Sequence, residues 1–151
     1  MRIVILAVVA LLASSFEVPK VYSDFIDTTL EEVEALSFST GVPVSIIYAQ
    51  VIIESGAGRS NLAKKANNYF GIRCGDNWNG KRYKSSSGCW RSYKNIEESF
   101  LDYACFLSDN YGEAIDKPSS FWVKNLEGYG SSGYWQKVGS IIKLYNLDKY
   151  E

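Results

Sequence analysis

The sequence predicts an α+β domain, mainly helical, with one small β-type insertion. Three observations predict it. Apolar residues recur at helical spacing on both sides of residues 67–93. That middle segment turns to Gly, Ser, Asn and aromatics with no helical period. No internal repeat or linker divides the 151 residues, and a chain of that length forms one domain.

The elements follow in order. Thr28 and Thr29 stand three residues before Glu31 and Glu32, the capping-box spacing that starts a helix. Gly41 ends that helix and Pro43 opens the next. Val44 to Ser55 is apolar almost throughout, which predicts a helix buried on most sides, stopped by Gly56 and Gly58. Ser60 to Ala66 reads as a short third helix. Short strands are expected around residues 69–73 and 90–93. Asn95-x-x-Glu98 caps a helix to about Asp109, with Ile96, Phe100, Tyr103, Ala104 and Leu107 on one face. Asp116-Lys117-Pro118 breaks the chain. A helix from Ser119 or Ser120 to near Leu126, a loop from Gly128 to Gly133 and a last helix from Tyr134 to Tyr145 complete it.

Composition narrows the chemistry. A hydrophobic content of 46% against 22% charged supplies a packed core. The formal net charge of -1 gives no electrostatic pointer to a nucleic-acid partner. There is no histidine. Ser-His-Asp and Cys-His nucleophiles, HExxH zinc sites and any imidazole acid or base are therefore excluded. Three scattered cysteines without histidine make a poor metal site, and neither metal nor cofactor is expected.

Met1-Arg2 precedes an unbroken apolar run from Ile3 to Ala13 and the small-residue step Ala13-Ser14-Ser15. This reads as a secretory signal peptide over residues 1–15, an uncleaved anchor being the alternative. The run is shorter than the roughly 20 residues of a membrane span. A secreted or periplasmic chain with no stable membrane insertion after cleavage is expected. In such an oxidising compartment Cys74 and Cys89 are positioned to pair, and closing a loop of that size contributes about 3 kcal/mol. Cys105 lies in an apolar helical pattern and reads as a buried free thiol.

Glu54 stands out. It closes an otherwise apolar helix, where burial and the negative helix end both disfavour the charged carboxylate. A carboxyl kept protonated near neutrality is what a general acid needs to protonate a glycosidic oxygen. A capping or surface role is the plainer alternative at such a position.

Its surroundings resemble a known family. Residues 49–63 read AQVIIESGAGRSNLA, and Asn67-Asn68-Tyr69-Phe70-Gly71-Ile72 follow. Then come Trp78-x-Gly80, Trp90-Arg91-x-Tyr93, Glu97-Glu98-Ser99, Gly128-Tyr129, Ile141-Ile142 and Tyr145. The ordered series resembles the peptidoglycan endo-β-N-acetylglucosaminidases of the flagellar-muramidase and autolysin type, over a catalytic domain at about residues 25–150. The resemblance implies a lysozyme-like fold with a small β lobe and a sugar-binding cleft. It implies a monomer that cuts GlcNAc–MurNAc β-1,4 bonds in peptidoglycan glycan strands, with Glu54 as acid and Tyr129 near the cleaved bond. Candidate substrate contacts are Asn68, Phe70, Trp78 and Tyr134. For Asn67 and Asn68 a role in fixing the β lobe to the helices competes with substrate contact. For Trp78, Tyr83 and Trp90, stacking on sugars competes with core packing.

Two departures from the family matter. Its β lobe commonly carries a second acid, whereas residues 83–89 here read YKSSSGC and the only acid between Gly71 and Glu97 is Asp76. Gly130-Ser131-Ser132-Gly133 stands where the family favours Ala-Thr-Asp-Pro. Three accounts follow for the second group: Asp76 as base, attack by the substrate's own 2-acetamido group, or a domain that binds glycan and cuts it poorly. A lytic transglycosylase and a weak peptidoglycan-binding or assembly module are the competing functions.

Overall fold

The computed structural model describes residues 17–125 and 131–151. The expected signal peptide at 1–15 and Tyr129 lie outside the described residues. Helix α1 spans Lys20–Thr40, α2 Val44–Ser55, α3 Asn61–Ala66, α4 Ile96–Asn110, α5 Ser119–Asn125 and α6 Tyr134–Leu144. Strands β1 (Arg82–Ser85) and β2 (Gly88–Arg91) form one antiparallel hairpin. Short 3-10 turns lie at Gly112–Ala114 and Leu147–Tyr150; the second falls just past the last helix expected from the sequence.

Ten of the 12 residues of α2 are buried, so this helix has no solvent face. Helices α1, α5 and α6 and the Leu147–Tyr150 turn pack around it. Each Ile or Val fully buried in this way contributes about 1.5–3 kcal/mol. The helix ends in a left-handed (αL) cap. Gly56 N–H donates to Ile52 O at 2.9 Å, and Ala57 N–H to Val51 O at 3.3 Å. Gly56 takes the left-handed conformation this needs (φ 57°). At the other end Glu151 Oε1 accepts from the Ser45 N–H at 3.0 Å, satisfying one of the helix's unpaired donors.

Helix α1 starts eight residues before Thr28, with Pro19 at its N-cap. The expected capping box is mid-helix instead. Thr28 and Thr29 Oγ1 donate back to the carbonyls of Asp24 at 3.0 Å and Phe25 at 2.8 Å. A hydroxyl satisfied within its own helix leaves the same Thr-x-x-Glu spacing in the sequence as a true cap. The Asn95 cap is where the sequence places it, with its Oδ1 accepting from Glu98 N–H at 3.0 Å. Cys105 is a free thiol, as expected, but it is exposed. It follows Leu101 by one turn, on the face of α4 turned away from Phe100, Tyr103, Ala104 and Leu107.

The β-type segment forms a hairpin at 82–91, whose second strand takes in the start of the one expected at 90–93, while the one expected at 69–73 does not form. Of the first expected strand only Arg73 makes a ladder contact, a single bridge to Trp90. The reason is Asn68. Its Nδ2 donates to Ile72 O and Arg91 O, both at 2.8 Å, and its Oδ1 accepts from Ile72 N–H at 3.0 Å. That clasp closes residues 68–72 into a loop and drives Phe70 inward, where it stacks on Tyr103 with ring centroids 3.7 Å apart. Asn67 Nδ2 donates to Tyr93 O at 3.1 Å and Lys94 O at 3.0 Å, so the paired asparagines tie the two lobes together. Cys74 and Cys89 are disulfide-bonded, tying the turn end of β2 to the loop that leads into the hairpin. Arg91 Nη1 pairs with both Asp102 oxygens at 2.9 and 2.8 Å, and Tyr93 Oη donates to Asp102 at 2.6 Å, fastening the hairpin to α4.

Phe70 is 2% exposed. Phe70→Ala is therefore expected to cost about 3–5 kcal/mol of stability, read as a lower urea midpoint at unchanged slope.

Candidate active site

Glu54 and Gln50 lie one helical turn apart on α2 and share a face. Gln50 is fully buried, and its amide is used at both ends. Tyr103 Oη of α4 donates to Gln50 Oε1. Gln50 Nε2 donates to Tyr134 Oη at 3.1 Å. Tyr134 Oη of α6 donates onward to Glu54 Oε1 at 2.8 Å. Three helices thus converge on one carboxyl oxygen through a line of hydrogen bonds.

The other oxygen faces the β lobe. A methyl group placed on Gly71 would stand 3.6 Å from Glu54 Oε2, and Gly71 holds φ +66°, a conformation that excludes most side chains. With Oε1 already accepting from Tyr134, a proton on the carboxyl resides on Oε2, at the junction of the lobes. Glu54 is half-buried, and burial pushes its carboxyl above the usual range. The Tyr134 hydroxyl and the charge of Lys137 pull the other way without cancelling it. Such a carboxyl can hand a proton to a ligand and take it back.

The remaining sequence-selected residues fall in different places. Tyr134 joins Glu54 directly, but at 8% exposure and with its hydroxyl in the buried line it positions the acid. Asn68 and Phe70 are 1% and 2% exposed, so their side chains build the loop beside Glu54 and offer no surface to a ligand. Trp78 is half-buried. Its Nε1 donates to Lys81 O at 2.9 Å, and the Arg91 guanidinium sits 4.6 Å from its ring centroid. Asp76 lies exposed in a turn, and no hydrogen bond of its side chain occurs among the described residues. The backbone-bonded turn role natural for Asp is not seen there. Gln50 and Lys137 escaped the sequence reading. Gln50 carried a signal, being the one amide in an apolar helix, one turn before Glu54. Lys137 carried none.

A groove of about 460 Å³ between α1 and α4, lined by Val33, Leu36, Phe100 and Leu101, does not include Glu54. Its walls are mainly apolar and its two acids, Glu32 and Glu97, are exposed at its edge, whereas the half-buried carboxyl of Glu54 lies at the lobe junction.

Comparison with known proteins agrees with this architecture. The family model described as mannosyl-glycoprotein endo-beta-N-acetylglucosaminidase matches residues 30–147. The chain is 29% identical over 144 residues to the peptidoglycan hydrolase FlgJ of Pseudomonas aeruginosa, covering 80% of this chain and 36% of that protein. It therefore spans about a third of that relative's length. Among solved structures it is similar to the catalytic domain of the autolysin Auto from Listeria monocytogenes, at 25% identity and TM-score 0.72, covering 89% of this chain and 90% of that one. It is also similar to the peptidoglycan hydrolase from Sphingomonas sp. A1, at 27% identity and TM-score 0.69, covering 84% and 91%. The lysozyme-like fold of such domains is the helical body and small hairpin lobe described above. With the family model matched over most of its length and Glu54 held at the junction of its lobes, the chain belongs to the glucosaminidase family.

Proposed function

We propose that the chain is a peptidoglycan hydrolase that cleaves the β-1,4 bond between GlcNAc and MurNAc, with Glu54 as its general acid. The observation that carries this reading is the Glu54 carboxyl, raised by burial, with Oε1 held by Tyr134 and Oε2 left toward the β lobe. The family membership and the names of the similar proteins supply the substrate class.

In this reading Glu54 Oε2–H protonates the glycosidic oxygen as the C1–O bond breaks. The carbonyl oxygen of the GlcNAc 2-acetamido group attacks C1 and forms an oxazolinium ring. Water then adds at C1, giving its proton to the Glu54 carboxylate and reopening the acetamide. The order of roles restores the enzyme and consumes one water. The absence of any carboxylate in residues 82–91 supports a substrate-supplied nucleophile over a second protein acid. Tyr129 enters through the family resemblance as a phenol near the reacting bond. The same single-acid arrangement serves a lytic transglycosylase, in which a sugar hydroxyl replaces water. That reading predicts 1,6-anhydro-muropeptides in the digest, and reducing-end products count against it. In this reading the chain acts outside the cytoplasmic membrane, and the apolar run from Ile3 to Ala13 supports export.

Three outcomes test the proposal. Glu54→Gln, nearly isosteric, is expected to abolish release of muropeptides from purified peptidoglycan with the circular dichroism spectrum unchanged; more than a tenth of wild-type turnover would defeat the assignment. The second outcome concerns pH. An acid must be protonated to act, so turnover falls as pH rises through the Glu54 pKa, and that limb is expected above the usual carboxylate range. Lys137 lowers this pKa. Lys137→Met should move the limb to higher pH, by a small amount because the ammonium is solvent-exposed and salt-screened. The third is a contrast. Asp76→Asn is expected to cost far less than the roughly 10²–10⁴-fold typical of a lost acid or base, and Tyr129→Phe is expected to cost more than Asp76→Asn. An inactive, folded Asp76→Asn protein beside a nearly normal Tyr129→Phe protein restores a two-carboxylate mechanism.

A further inference from the structure

The formal charge of -1 conceals a polarised molecule. Residues 59–94 carry nine of the 16 Lys and Arg but only one of the 17 acids, Asp76. Among the described residues, two of these nine cations are in salt bridges, Arg91 with Asp102 and Lys94 with Glu98. The other seven form none. The other 16 acids lie outside this segment, five of them on α1 alone.

Part of this basic segment is shaped. A recess of about 290 Å³ lies between α3 and the hairpin, with Asn61 and Lys65 on one side and Tyr83, Trp90 and the Ser85–Ser87 turn on the other. Tyr83 and Trp90 are directly paired across the hairpin, so both rings stand on the same face. Trp90 Nε1 donates to Ser85 Oγ at 3.1 Å. Arg73 lies over the Trp90 ring with its guanidinium carbon 4.3 Å from the centroid, and its Nη1 donates to Ser87 O at 3.0 Å. One cation, Arg73, is thereby fixed on the Trp90 indole. The other, Lys65, projects from α3 without an ion pair. Glu54 is not part of this recess.

Aromatic faces, serine hydroxyls and an amide suit the apolar and hydroxyl-bearing sides of a sugar or polyol. Two cations beside them suit an anionic group carried on it. We propose that this recess is a second binding site, separate from the Glu54 centre, for an anionic saccharide or polyol segment of the cell wall. The proposal rests on the reading of the chain as a wall hydrolase. Its ligand chemistry has two sources, the carboxylates of peptidoglycan peptide stems and the phosphodiesters of wall-linked polyol polymers. The basic lobe, with a single acid among nine cations, leads the molecule onto an anionic matrix.

The test measures binding without turnover. Full-length protein carrying Glu54→Gln is sedimented with intact walls and with walls stripped of phosphodiester polymer by hydrofluoric acid. Adding Lys65→Glu is expected to weaken retention about tenfold at low salt, Lys65→Arg to preserve it, and Tyr83→Ala to weaken it with every cation still present. Lys143→Glu, on α6 and outside the recess, is the matched charge change and is expected to have less effect than Lys65→Glu. A loss on both wall preparations assigns the ligand to stem carboxylates; a loss on intact walls alone assigns it to the phosphodiester polymer. Equal retention of the Lys65→Glu and parent proteins overturns the site, as does an equal loss for Lys143→Glu. A loss of the same size on double-stranded DNA reduces the recess to unspecific charge and overturns it too. Failure of the hydrolase reading is seen separately, as wild-type protein that releases nothing from stripped peptidoglycan.

Discussion

Helix α2 is enclosed on every side from Val44 to Ile52, and the rest of the chain is arranged to enclose it. A 12-residue helix with Ile, Val, Tyr and Ala around its whole circumference cannot rest on a single partner. Helices α1, α5 and α6 and the terminal 3-10 turn supply the covering surfaces. Full enclosure also sets the terms for Gln50 and Glu54. Gln50 at the centre must find a partner for each end of its amide, since an unpaired buried amide is costly. Tyr103 and Tyr134 meet that need. Glu54, one turn nearer the helix end, lies where the cover is incomplete, and it is half-buried instead of lost in the core. The core that stabilises the fold and the desolvation that raises the acid's pKa are therefore one feature.

The hairpin lobe is too small to hold itself. Two four-residue strands bury little, and a lone hairpin is marginal in water. It is fixed by directed bonds. The two asparagine amides clamp the loop leading into it, the Cys74–Cys89 disulfide ties that loop to the turn end of β2, and Asp102 of α4 binds both Arg91 and Tyr93. Burial and the neighbouring Asp102 carboxylate hold the Tyr93 phenol protonated, so it remains a donor in that network. These ties set Gly71 against Glu54, which makes the lobe junction a site of defined shape.

In the proposed reaction one protein carboxyl serves both steps. That role requires a proton that is held and released from a fixed oxygen. The line Tyr103–Gln50–Tyr134 commits Oε1 as an acceptor and so keeps the active proton on Oε2. The hairpin, free of carboxylates and carrying cations beside aromatic rings, is suited to holding an anionic polymer.

The sequence by itself determined the α+β class, the ends of α2 and α3, the Asn95 cap, the Cys74–Cys89 pair and the prominence of Glu54. Each of these is set by local physics: glycine and proline at helix ends, a side-chain cap three residues from its partner, an apolar run interrupted by one acid. Tertiary structure decided what depends on partners distant in sequence. Thr28 and Thr29 read as a cap because their hydroxyls obey the same spacing inside a helix. Residues 69–73 read as a strand because nothing local reveals that Asn68 will bind Ile72 and Arg91 and turn Phe70 into the core. Cys105 read as buried because α4 is apolar on more than one side, and only packing chose which side faces the core. Tyr134 became the residue that orients Glu54 because α6, 80 residues further along the chain, lands beside α2. A pairing across that separation has no local sequence signature, since it is fixed by how three helices share one buried amide.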